Sequence, residues 1–139
     1  MKNKIEDLEK FIKGKKVAVL GVGISNRPLL RFIYKMGGVV TAFDMADENN
    51  PDINSIINEL KDESIKVEWV LGKDYLKLLK GFDIIFKTPK IRIDIPELVN
   101  ERKRGCIITS EMEVFMQFCP CEIIGVTGSD GKTTTTTMI

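Results

Sequence analysis

Apolar and polar positions alternate along this chain in blocks that switch between two periods. Val17-Ala18-Val19-Leu20, Val39 to Phe43, Phe82 to Phe86 and Cys106 to Thr109 are short, mostly apolar runs rich in β-branched residues, each bounded by glycine or a polar residue, and Ile65 to Val70 alternates apolar with polar residues. Such runs predict strands, and the unbroken ones predict strands buried on both faces. Between them the apolar residues recur at helical spacing: Ile5, Leu8, Phe11 and Ile12; Leu29, Ile33 and Met36; Ile53, Ile56, Ile57 and Leu60; Leu98 and Val99; Met112, Val114, Phe115 and Phe118. Pro28, Pro51 and Pro96 sit where first helical turns begin, Asp74 can cap a short helix presenting Tyr75, Leu78 and Leu79, and Ser110 with Glu113 makes a capping box. A β-α unit repeated about five times predicts a parallel, doubly wound α/β sheet with helices on both faces, a Rossmann-like architecture. Cys119-Pro120-Cys121 then reads as a linker, and Ile123 to Val126 as the first strand of a further unit. The expected domains are therefore 1–118, and 119–139 as the opening of a second, truncated one.

The length of 139 residues suits a single core, and 21 basic against 20 acidic residues leave a formal charge of +1. That balance gives no electrostatic case for nucleic acid or an anionic membrane, so any attraction for phosphate must be local. The N-terminus shows no apolar run of signal or membrane length, which makes the cytoplasm the expected location. Three cysteines and no histidine disfavour both a disulfide framework and a metal reading of Cys119 and Cys121.

Two glycine-rich turns carry the candidate chemistry. Gly21-Val22-Gly23-Ile24-Ser25-Asn26 follows the first strand and opens a helix whose free amides favour an anion, and Asp44 ends the second strand about twenty residues on. In dinucleotide-binding folds an acid there meets a ribose, but the third fingerprint glycine is Asn26, which weakens a nicotinamide reading. Thr88 and Pro89, at the end of the fourth strand, lie at the edge where open α/β sheets collect ligands. The second turn, Gly125-Val126-Thr127-Gly128-Ser129-Asp130-Gly131-Lys132-Thr133, misses the plain P-loop spacing at Val126 and fits T-G-x-x-G-K-T-T instead. Its glycines allow amides to turn toward phosphate, Lys132 can meet the β/γ charge and Thr133 can ligate Mg²⁺.

Together with Val17 to Ser25, Phe82 to Pro89 and Ser110 to Phe115, this second turn resembles the Mur ligases, and among them the D-glutamate-adding branch. The resemblance runs over essentially the whole chain. It implies a Rossmann-like domain that binds the UDP part of UDP-N-acetylmuramoyl-L-alanine, with Ile24 and Ser25 near the diphosphate or uracil. It also implies Asp44 and Met45 flanking the uridine, and Thr88, Pro89 and Lys90 lining the same crevice. Lys90 departs from the family, which usually has glycine after the Ser/Thr-Pro pair. For the second turn it implies Gly128, Ser129, Asp130, Gly131, Lys132, Thr133 and Thr134 around ATP, with Lys132 on the transferred phosphoryl group and Thr133 on Mg²⁺. The implied reaction runs through an acyl phosphate attacked by the amine of D-glutamate, in a monomer. The remaining magnesium ligands, a carbamylated lysine and the D-glutamate site would then lie beyond Ile139, so the chain is expected to be the N-terminal part of a larger enzyme and inactive alone. A stand-alone nucleotide-binding or sensor module and an NAD-linked oxidoreductase stay open as alternatives.

Overall fold

A computed structural model describes residues 4–24 and 26–139. Five parallel strands form one sheet in the order β3-β2-β1-β4-β5: β1 (Lys16–Leu20), β2 (Val39–Asp44), β3 (Glu68–Leu71), β4 (Ile84–Lys87) and β5 (Ile107–Thr109). β1 is central, with Val17 to Leu20 in register with Val40 to Phe43 on one side and Ile84 to Lys87 on the other. Successive side chains of β1 leave on opposite faces. Val17 and Val19 therefore enter a core with Leu30, Ile33, Ile56 and Phe86, whereas Ala18 and Leu20 enter a second with Phe43, Ile85 and Leu98.

The first core is covered by α1 (Lys4–Ile12), α2 (Asn26–Lys35), α3 (Pro51–Asp62) and α5 (Glu111–Phe118). The second is covered by a single 3-10 turn (Tyr75–Leu78) and α4 (Pro96–Lys103). This is the doubly wound arrangement that the alternating periods predict.

Four local expectations need correction. The third strand begins at Glu68 rather than Ile65, because Ile65 is spent on closing α3. Ser64 takes φ 60°, its amide donates to Lys61 O at 3.0 Å, and the Ile65 amide donates to Leu60 O at 2.9 Å. That is a Schellman closure with Ile65 as its buried apolar contact. Asp74 makes no side-chain cap and pairs instead with Lys77 at 3.0 Å; Leu78, on the same short turn, is exposed. On α5 the buried stripe is narrower than its composition suggests: Val114 is buried and Phe118 packs on Phe11 at 5.5 Å, but Met112 and Phe115 are exposed. The capping box forms as expected, with the Glu113 amide donating to Ser110 Oγ and the Ser110 amide to Glu113 Oε2.

The fourth correction concerns the second unit. Residues 123–126 form no strand, and both edges of the sheet, β3 and β5, end without them. A strand is a paired structure whose backbone groups need a neighbour's. An apolar run with no partner strand stays irregular, and Ile123 and Ile124 are exposed. The glycine loop itself is followed by a helix, α6 (Lys132–Met138).

Candidate functional site

The carboxyl ends of β1 and β4 lie side by side while their following connections leave to opposite faces, which is where open α/β sheets form a ligand crevice. Gly21 begins its floor. Its φ of +86° suits glycine, its amide donates to Phe43 O at 2.7 Å, and a Cβ there would come within 3.1 Å of Thr88 Cγ2. The end of β4 thus packs on the start of the turn after β1, and a side chain there would crowd Thr88.

Past Gly21 the turn is held from both sides. Asn26, 6% exposed at the start of α2, donates from Nδ2 to Gly21 O at 2.7 Å. The residue that costs the dinucleotide fingerprint its third glycine is therefore a clasp across the turn. From β2, Asp44 Oδ2 accepts the Val22 amide at 2.7 Å and Oδ1 accepts the Ala46 amide at 2.9 Å. Between these two anchors Gly23 and Ile24 face solvent, Ile24 being 86% exposed. Among the described residues neither of their amides has an acceptor. Open amides at a helix start are what a phosphate needs.

Around this turn the structure gathers most of the residues picked out from sequence. Thr88 is half-buried against Gly21, and Met45 is exposed beside Asp44. Pro89 and Lys90 form a tight turn closed by the Ile91 amide on Thr88 O at 3.1 Å. Lys90 has no positive φ, so the backbone there does not call for the family's glycine. Ser25 lies outside the described residues. Beside the turn, toward β5, a cavity of about 240 Å³ is lined by Lys87, Ile93, Thr109 and Glu113 among others. A larger concavity, of about 680 Å³, sits at the amino ends of β2 and β3 against Trp69 and carries no comparable phosphate chemistry.

Two residues at this edge escape a reading by sequence pattern. The Gly72 amide donates to both Asp44 O (3.0 Å) and Ala46 O (3.2 Å), tying the end of β3 to the end of β2. Tyr75 follows on the 3-10 turn, and burial first, then the charges of Asp44 and Glu97, push its phenol above the ordinary value. Their only sequence signal is position, directly after a predicted strand.

The second turn has a different environment. Gly128 and Gly131 take φ of +147° and +76°, and Gly131 stands at the N-terminus of α6. Residues 127–139 are all exposed; Ser129 and Asp130 lie in the glycine loop, and Lys132, Thr133 and Thr134 in the first turn of α6. Thr136 and Thr137 bond back to Lys132 O and Thr133 O, both at 2.7 Å, as threonines in a helix do. Thr133 makes no such bond to the chain. Among the described residues no cluster of three acidic, histidine or cysteine side chains could hold a metal. The donors present, one hydroxyl beside a lysine and glycine-borne amides, fit a Mg²⁺ that takes most of its ligands from nucleotide phosphates and water.

The fold and its edge define an α/β unit of Rossmann-like build, carrying an open phosphate-type turn at the switch point of its sheet. No family model matches the chain. Over all 139 residues it is 53% identical to the UDP-N-acetylmuramoylalanine–D-glutamate ligase of Clostridium acetobutylicum and 52% identical to that of Clostridium botulinum strain Hall. The chain is a homologue of the N-terminal part of these ligases and spans 29% and 30% of their lengths. Among solved structures, a shikimate dehydrogenase from Aquifex aeolicus aligns with a TM-score of 0.48 at 15% identity, over 86% of this chain and 55% of that one. So slight a likeness adds nothing to the reading of the site. No helix among the described residues is long and apolar enough to cross a membrane.

Proposed function

We propose that this chain is the nucleotide-sugar-binding portion of an ATP-dependent ligase that joins D-glutamate to UDP-N-acetylmuramoyl-L-alanine in peptidoglycan synthesis. The observation that carries the reading is identity of 52–53% along the entire chain to ligases of that name. The geometry agrees in kind. The amides of Gly23 and Ile24 would receive the diphosphate, Asp44 and Met45 would flank the uridine, and Thr88, Pro89 and Lys90 would form the opposite wall, with Ser25 completing the turn.

The loop from Gly128 to Thr134 would hold ATP. Lys132 would stabilise charge on the γ-phosphoryl group as it moves to the substrate's carboxylate, and Thr133 would offer a hydroxyl to Mg²⁺. Bound Mg²⁺ supplies charge neutralisation along the phosphates. The amine of D-glutamate then displaces phosphate from the activated carboxylate. Lys132 is the residue of this chain closest in role to catalysis. The cytoplasm, where such a nucleotide sugar and ATP coexist, is the compartment that fits, and a monomer suffices for binding.

Thermal-shift measurements with UDP, UDP-N-acetylmuramoyl-L-alanine, NAD and ATP test the reading. Stabilisation by both uridine compounds is expected, because a ligand bound to the folded state alone raises the melting temperature. Stabilisation by NAD and not by UDP would replace it with a dehydrogenase-type reading. The purified 139-residue chain is expected to show no ATP- and D-glutamate-dependent turnover.

A further inference from the structure

We infer that Asp44 is a positioning residue: its carboxylate holds the turn after β1 in the shape that leaves the Gly23 and Ile24 amides open for a diphosphate. The inference rests on the proposal that this turn binds a nucleoside diphosphate, and it assigns to Asp44 a role in addition to flanking the uridine.

Val22 is 5% exposed and its side chain lies in the first core, so its N–H would be stranded without an acceptor. Asp44 Oδ2 supplies that acceptor at 2.7 Å. The other oxygen takes the Ala46 amide, while the main-chain carbonyl of Asp44 accepts from Gly72. One residue therefore ties together the turns after β1, β2 and β3. With both oxygens engaged by backbone amides, the carboxylate is already a hydrogen-bonded strut before any ligand arrives.

Charge makes the inference testable. A carboxylate next to a diphosphate repels it, so by Coulomb's law alone removal of Asp44 would tighten anion binding. A strut predicts the reverse, because losing it frees the turn and the amides must be ordered at the moment of binding.

The test uses the 139-residue chain carrying Lys132→Ala, which silences the second loop, with Asp44→Ala and Asp44→Asn added. Calorimetric titration with inorganic pyrophosphate, UDP and uridine is paired with amide hydrogen exchange of the ligand-free protein. Asp44→Ala is expected to weaken pyrophosphate and UDP in parallel, by roughly tenfold or more as for lost charge-assisted hydrogen bonds, with a smaller change for uridine. Exchange at Val22 and Ala46 should quicken while Val19, deep in β1, stays protected and shows that the fold is intact. Asp44→Asn keeps one acceptor oxygen and should fall between. Pyrophosphate binding that is unchanged or tighter, with losses confined to UDP and uridine, would make Asp44 a direct ligand contact and overturn the inference. So would Val22 exchange unaltered by Asp44→Ala. Failure of the Lys132→Ala parent to bind UDP at all would instead remove the nucleotide proposal, and the inference with it.

Discussion

The two glycine turns use similar residues and live in different surroundings. The turn after β1 is braced: Gly21 is bonded to β2 and packed by Thr88, Asn26 clasps it from α2, and Asp44 holds Val22. The loop at Gly128 to Thr133 also turns on glycines of positive φ, but every residue in it is exposed. Preorganisation is therefore a property of neighbours rather than of glycines. A cradle whose amides are already fixed spends less binding energy on ordering itself. The first turn should therefore be a rigid site and the second an unbraced one.

The comparison breaks most readily at the core beneath the first turn. Phe86→Ala removes a side chain that is 1% exposed beside β1 and should cost about 3–5 kcal/mol of stability in chemical denaturation. Amide exchange in the second loop should not change. A loop that became more labile along with the core would show that the two turns are coupled after all.

A smaller effect is expected from acid. Glu101 is 3% exposed; burial pushes its carboxyl up, but the Arg104 hydrogen bond and the amides of Phe82 and Gly81 outweigh it and hold the group below its ordinary value. A carboxyl depressed in the folded state stabilises fully above the ordinary carboxylate range and loses that contribution as pH falls through its lowered value. Unfolding midpoints followed downward from neutral pH should show this decline, and Glu101→Gln should flatten it while lowering stability at neutral pH by about 1.5–3 kcal/mol.

Smaller again is Gly21→Ala. A side chain at φ +86° is strained by about 1–2 kcal/mol, and the new Cβ presses on Thr88. Adding Thr88→Ser should recover the steric part of the loss and leave the backbone part. Full recovery in the double variant would show that crowding alone requires glycine at this position. The smallest stability effect belongs to Lys132→Ala, whose side chain is exposed. Its melting temperature should match the parent's within error, while stabilisation by Mg-ATP disappears.

Much of this was legible along the chain. Strand and helix periods, Pro at helix starts and the Ser110–Glu113 box each depend on residues a few positions apart, and all appear in the structure. The site residues were legible as positions at strand ends but not as a constellation. That Asp44 faces Val22 rather than an empty cleft, or that Gly72 serves the end of β2, depends on strand order and register. Met112 and Phe115 were misread because helical spacing marks an apolar stripe without saying how much of it finds a partner. The run at 123–126 failed for the same reason.

Local pattern alone settled most of the strands and helices, where most of them stop, and which two stretches could cradle phosphate, because steric limits, capping and hydrophobic period act over a few residues. Only the folded sheet decided which turn is braced, what Asn26 and Asp44 hold, and which apolar residues stay in water. Apart from the Asn26 clasp, which spans five residues, those outcomes depend on hydrogen bonds and contacts between segments twenty or more residues apart, and no local period encodes them.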